Sequence, residues 1–122
     1  MDKRGTARRV LVTGSRDWTD RATIERALAQ VAVRGAVLVH GGARGTDRIA
    51  ASIWRRWGLR CEEHRADWNR DGRAAGMARN RQMVAAGADL CLAFIRHQSR
   101  GATHCAATAE AAGIPTRRYE AD

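Results

Sequence analysis

The feature that most constrains this chain is an alternation. Short apolar runs, each stopped by a polar or glycine-bearing turn, are separated by segments with helical periodicity. Val10-Leu11-Val12 ends at Thr13-Gly14-Ser15, Ala36-Val37-Leu38-Val39 ends at His40-Gly41-Gly42, and Asp89-Leu90-Cys91-Leu92-Ala93-Phe94 runs into a loop from Arg96 to Gly101. Runs of this kind read as strands buried on both faces. Between the first two, Thr19 or Asp20 offers a helix cap, and Ile24, Ala27, Leu28 and Val31 repeat at i, i+3, i+4 and i+7, which is one helical face. Gly35 ends that helix.

A second helix is expected from Thr46 to Trp57, with Ile49, Ile53, Trp54 and Trp57 as its core stripe. Arg60 to His64 is more polar and reads as an edge strand. A loop around Ala66-Asp67-Trp68 leads to a helix from Arg73 to Ala86, whose Met83 and Val84 face the core. A last helix is expected from Thr103 to Ala112, broken by Gly113-Ile114-Pro115, and a last strand from Thr116 to Tyr119. The order βαβαβαβαβ implies a parallel sheet with helices on both faces. The expected fold is a single three-layer α/β/α Rossmann-like domain whose mostly parallel five-stranded sheet has the order 3-2-1-4-5. At 122 residues the chain is one domain.

No apolar run approaches the roughly 20 residues of a membrane span, and Met1 to Gly5 lacks the apolar stretch of a secretory signal. Cys61, Cys91 and Cys105 contain no C-x-x-C pair, so neither a disulfide framework nor a zinc ribbon is indicated. A cytoplasmic protein without membrane, metal or cofactor is the expectation. The net charge is +9, and all 22 basic residues are Arg except Lys3. An Arg- and Ala-rich, Lys-poor chain is what a GC-rich genome writes, but a basic surface also attracts nucleic acid or phosphorylated ligands.

In such sheets a ligand lies beyond the C-terminal strand ends, at the point where the strand order reverses. Three loops leave those ends: Gly14-Ser15-Arg16-Asp17, Gly41-Gly42-Ala43-Arg44-Gly45-Thr46-Asp47, and Ser99-Arg100-Gly101-Ala102-Thr103. Glycine lets amide N–H groups approach an anion, and a helix N-terminus adds about half a positive charge. Arg16, Arg44 and Arg100 can add bidentate phosphate contacts. Asp17 and Asp47 can cap helices or bond a ribose hydroxyl, and Thr46 and Thr103 can cap or touch phosphate. Trp18 and Trp68, in loops just past strand ends, can each stack on a base. Arg79 and Asn80 face either the crevice or solvent. The second loop is neither a P-loop nor G-x-G-x-x-G.

The segments Val12 to Arg16, Val39 to Asp47, Ala66-Asp67-Trp68, Arg79 to Met83 and Gly113-Ile114-Pro115 together resemble the YspA-like (YAcAr) branch of the SLOG superfamily, from about Arg9 to Tyr119. That superfamily also contains the LOG (lysine-decarboxylase-like) phosphoribohydrolases and the DNA-processing protein A family. The resemblance implies a Rossmann-like fold, a site for a nucleotide or nucleotide-derived ligand such as an ADP-ribose-like molecule, a bacterial or phage setting, and self-association into a homo-oligomer. It carries over Gly14, Ser15 and Arg16 in the first loop, Gly41, Gly42, Gly45, Thr46 and Asp47 in the second, and Arg79 and Asn80 on the helix. LOG enzymes use an Arg on the comparable helix, matched by Arg79, and a Glu in a P-G-G-x-G-T-x-x-E loop. The loop here lacks the Pro-Gly-Gly, and Ala106 stands where the Glu would be.

Three functions follow for comparison. The first is a domain that senses or sequesters a nucleotide through Gly14, Ser15, Arg16, Asp17, Gly41, Gly42, Arg44, Gly45, Thr46, Asp47, Arg79, Asn80, Gly101 and Thr103. The second is a phosphoribohydrolase, with Arg79 and Asp47 as catalytic candidates and Asp17 or Asp67 as other substitutes for the missing Glu. The third is a nucleic-acid binder of the DNA-processing type, favoured by the charge.

Overall fold

A computed structural model describes residues 8–121. Its elements are β1 (Arg9–Gly14), α1 (Arg21–Val31), β2 (Val37–His40), α2 (Thr46–Arg56), β3 (Arg60–Glu63), a single turn α3 (Trp68–Asp71) continued by a 3-10 turn (Gly72–Ala74), α4 (Ala75–Ala86), β4 (Leu90–Arg96), α5 (Arg100–Ala111) and β5 (Thr116–Ala121). The sheet is parallel throughout, in the order β3-β2-β1-β4-β5. This is the architecture read from the alternation.

The period of two in each strand divides the core between the two faces of the sheet. Val10, Val12, Leu38, Leu92 and Phe94 meet the apolar stripes of α1 and α2, which contribute Ile24, Leu28, Ile53 and Trp54. Leu11, Val39 and Cys91 face the other way, against Met83 and Val84 of α4 and Cys105 and Ala109 of α5. Asp20 caps α1, its carboxylate accepting from the Thr23 N–H and hydroxyl at 3.1 and 2.6 Å. The three cysteines are free; burial pushes the Cys91 thiol up to about 12 and that of Cys105 up to about 11. Among the described residues, no helix is long and apolar enough to cross a membrane.

Four local expectations are corrected. Helix α2 ends at Arg56, so Trp57 leaves the core stripe and is 38% exposed, whereas Trp54 is fully buried. The stretch at Trp68 is a helical turn rather than a loop, capped by Asp67, whose carboxylate accepts from the Arg70 N–H. Helix α5 begins at Arg100, three residues before the expected Thr103. Trp18 is buried, its ring edge-on to Phe94 at 5.6 Å and its indole N–H donating to the Asp20 carbonyl, so it completes the core and offers no face to a base.

Candidate functional site

All three glycine-bearing loops reach one rim of the sheet, where β1 and β4 separate their crossovers to opposite faces. A cavity of 370 Å³ lies there. Gly14, Arg16 and Asp17 line it from the first loop, Ala43 and Asp47 from the second, and Ser99, Gly101 and Ala102 from the start of α5. Helix α4 adds Arg79, Asn80 and Met83, and the segment before and into it adds Trp68, Arg73 and Met77. A second cavity of 570 Å³ adjoins the first and shares Arg16, Ala43, Trp68 and Arg79 with it. Its other walls carry Gly41, Gly42, Arg44, Arg48, Arg65, His40 and Glu63.

Local chemistry explains why the loops meet. The Ser15 hydroxyl accepts from the Arg96 N–H at 2.7 Å and donates to the Arg96 carbonyl at 3.2 Å, tying the end of β1 to the end of β4. The Ser15 carbonyl in turn accepts from the Thr46 hydroxyl at 3.0 Å. Ser15 and Thr46 are buried and spend their hydroxyls on these bonds, which hold α2 against the first loop. Gly14 permits that approach, since a Cβ there would lie 2.3 Å from Thr46 Oγ1. Gly45 adopts φ +74°, and its missing Cβ would lie 2.3 Å from the Arg16 carbonyl oxygen. These glycines serve loop-on-loop packing.

The first three amides of the second loop are already bonded within the loop. The Gly41 and Ala43 N–H groups donate to Asp47 Oδ2 at 2.9 and 3.4 Å, and the Gly42 N–H donates to His40 Nδ1 at 3.0 Å. Asp47 neither caps its helix nor stays in solvent; it folds back and supplies this loop's anion from within. Its Oδ1 is buried with no hydrogen-bond partner, as is His40 Nε2. Burial pushes the Asp47 carboxyl up to about 6, against the pull of the two N–H bonds and of Arg79. Burial likewise lowers His40, whose Nδ1 accepts a bond and whose proton therefore sits on Nε2.

Cationic side chains line the same rim. Arg79 is aimed by two bonds, Nη1 to the Gly41 carbonyl at 2.8 Å and Nε to Asn80 Oδ1 at 3.0 Å. Asn80 is buried and donates to the Gly101 carbonyl at 3.3 Å, so it locks α4 to α5 and orients Arg79. The first-turn N–H groups of α5 have no acceptor within the helix, and Ser99 makes no side-chain cap there. Arg16 and Asp17 are exposed at the rim, and Arg44 is exposed on the second cavity.

Thr103 is not brought to this rim. It lines a separate cavity with Ile95, His97 and Arg118, on the side of β5. Arg100, exposed, lines neither of the two adjoining cavities. Sequence reasoning did not single out Arg73 and Met77, although both lie in the helix expected from Arg73 to Ala86; the turn Trp68–Asp71 ahead of it, marked by the capping Asp67, was not recognised.

Three comparisons bear on this geometry. The family model described as YspA, cpYpsA-related SLOG family matches residues 8–70, which include the first two loops and Trp68. That is a narrower stretch than the Arg9 to Tyr119 resemblance. The Gene 61 protein of Mycobacterium phage D29 is 52% identical over 122 aligned residues, covering 92% of this chain and 96% of that protein. No solved structure matches. The family match spans just over half the chain and the phage relative nearly all of it: the chain belongs to the YspA, cpYpsA-related SLOG family.

Proposed function

We propose that the crevice binds a nucleotide or nucleotide-derived phosphate ligand, sensing or sequestering it. Membership of the SLOG family suggests a nucleotide-related Rossmann-like protein, and the finer reading rests on the crevice. One observation carries it: two adjoining cavities at the C-terminal rim share Arg16 and Arg79, with Arg73 on one side and Arg44, Arg48 and Arg65 on the other. Guanidinium groups converging from several elements suit phosphate oxygens, because each can donate a planar pair of N–H groups. The phosphate sits between Arg16, Arg79 and the first turn of α5. A base lies against Trp68 and Met77, which are 54% and 46% exposed at the mouth.

Binding is favoured over turnover by the third loop. Ala106, at the position of the LOG glutamate, is fully buried against Ala93, Ile95 and Ala102. The hydrolytic alternative keeps one supporting observation, the Asp47 carboxyl at about 6 in the wall of the crevice. Its test is incubation with nucleoside monophosphates, where release of free base supports hydrolysis and its absence removes it.

The binding reading is tested by a thermal-shift screen of nucleotides, followed by calorimetry. A ligand at about 100 times its Kd adds about 2.7 kcal/mol, which moves Tm by several degrees. Arg16→Ala and Arg79→Ala should weaken the response. No stabilisation by any nucleotide would remove the proposal.

A further inference from the structure

We infer that the free edge of β5 pairs antiparallel with β5 of a second copy of this chain, about a two-fold axis at Tyr119, so that the two five-stranded sheets join into one. The resemblance to SLOG proteins implies self-association but names no surface for it.

Strand β5 bonds to β4 on one side, and among the described residues no strand covers its other side. It is six residues long, and an open edge of that length presents backbone N–H and C=O groups that a further strand can take up. Alternation divides its side chains between the two faces of the sheet. Tyr119 lies on the α1 side, stacked on Phe94 at 4.8 Å, and Phe94 in turn meets Trp18 edge-on at 5.6 Å. This row of rings runs from the core to the open edge and stops there. Arg118 and Glu120 lie on the α5 side, where both line a 720 Å³ cavity with Thr103 of α5. Arg118 also holds Glu110 of α5 at 2.8 Å.

A two-fold axis perpendicular to the sheet keeps every side chain on its own face, so one residue of β5 must face its own copy. Centring on Arg117 or Arg118 opposes two guanidinium groups, and centring on Glu120 opposes two carboxylates. Centring on Thr116 or Ala121 leaves most of the strand unpaired. Centring on Tyr119 opposes no like charges. It sets Arg118 against the partner's Glu120 twice over, once from each copy, and Arg117 against the partner's Ala121. On the other face it carries the aromatic row from Tyr119 onto the partner's Tyr119. Cross-strand pairs of opposite charge and of aromatic rings are the contacts that stabilise a sheet, and one register supplies both.

The test is sedimentation velocity on the full chain from about 1 µM to about 1 mM, in about 0.15 M salt, which screens the repulsion between two chains of charge +9. The wild type should form a dimer with a Kd in the micromolar range, as befits a small interface. Arg118→Glu opposes carboxylates across the axis and Glu120→Arg opposes guanidinium groups, so each alone should raise the dimer Kd at least about tenfold. Mixed together, the two variants regain both opposite-charge pairs and should form a heterodimer about as tight as the wild-type dimer. Loss of fold does not imitate that pattern, since two unfolded variants do not recover association on mixing. A wild type that stays monomeric at the highest concentration overturns the inference. So does a dimer that either variant keeps undiminished, and so do variants that fail to associate when mixed.

Discussion

Two carboxylates in this molecule sit in opposite circumstances. Glu62, on the edge strand β3, accepts both arms of the Arg9 guanidinium at 2.8 and 2.9 Å and lies 2.6 Å from His64 Nε2. The Arg9 bonds, then the His64 contact, hold its carboxyl down at about 2. Asp47, at the sheet rim, has both its bonds on one oxygen and is pushed up to about 6 by burial. Glu62 is the less buried of the two, with its side chain 37% exposed, yet it is the more completely paired. A closed polar cluster explains itself as a staple between strands. Asp47 keeps one oxygen buried with no partner, so its bonds do not offset its burial in full.

The comparison is broken most completely by removing the loop that holds Asp47 in place. In Gly45→Ala the new Cβ would meet two backbone carbonyl oxygens, those of Arg16 and Ser15, at 2.3 and 2.6 Å, from a left-handed φ of +74°. Backbone cannot rotate away as a side-chain tip does. Chemical denaturation should report a loss of about 4 kcal/mol, the sum of the overpacking and the φ strain. Gly101→Ala is the matched control on the same rim. No atom lies within 4 Å of a Cβ there, so stability should hold while a ligand at the first turn of α5 loses room.

Much of this rim is legible in the sequence, for a definite reason. Strand ends and glycine turns are local signals, and the parallel alternation forces the loops after β1, β2 and β4 to one edge. The missed features depend on distant partners or on helix phase. Trp18 follows a strand end like any rim residue, but Phe94, remote in sequence, draws it into the core. Thr103 misses the rim because α5 starts at Arg100, and at about 100° per residue the helix turns Gly101 and Ala102 to the crevice and Thr103 towards β5. Asp47 was readable as a cap or a ribose ligand; its return to Gly41 and Ala43 depends on the path of the loop between them, which no residue pattern states.

The next largest effect is on how stability varies with pH. Asp47 is raised in the folded protein from 3.8 to about 6. The unfolded chain therefore ionises first, and this group's contribution falls as pH rises from about 4 to about 6. Above that the buried charge costs about 3 kcal/mol. Asp47→Asn lacks this component. Its denaturation free energy relative to wild type should rise across that interval and then level off. A flat difference from pH 4 to 8 would show that Asp47 is not a strained ion.

The smallest effect comes from the closed cluster, and its sign is reversed. Glu62 is lowered from 4.5 to about 2, so its stabilisation is complete above about pH 4.5 and is lost as pH falls towards 2. With Glu62 37% and Arg9 26% exposed, solvent and salt screen the pair, and Arg9→Ala should cost only about 1 kcal/mol at neutral pH. Asp20 and Glu110 are also held below their usual range, so the acid limb of the wild type mixes several groups. The difference between wild type and Glu62→Gln isolates the one of interest: it should shrink below pH 4.5 and be weaker in high salt. The two carboxylates then produce opposite slopes in adjoining pH intervals, one from bonds made inside the protein and one from burial that its bonds do not offset.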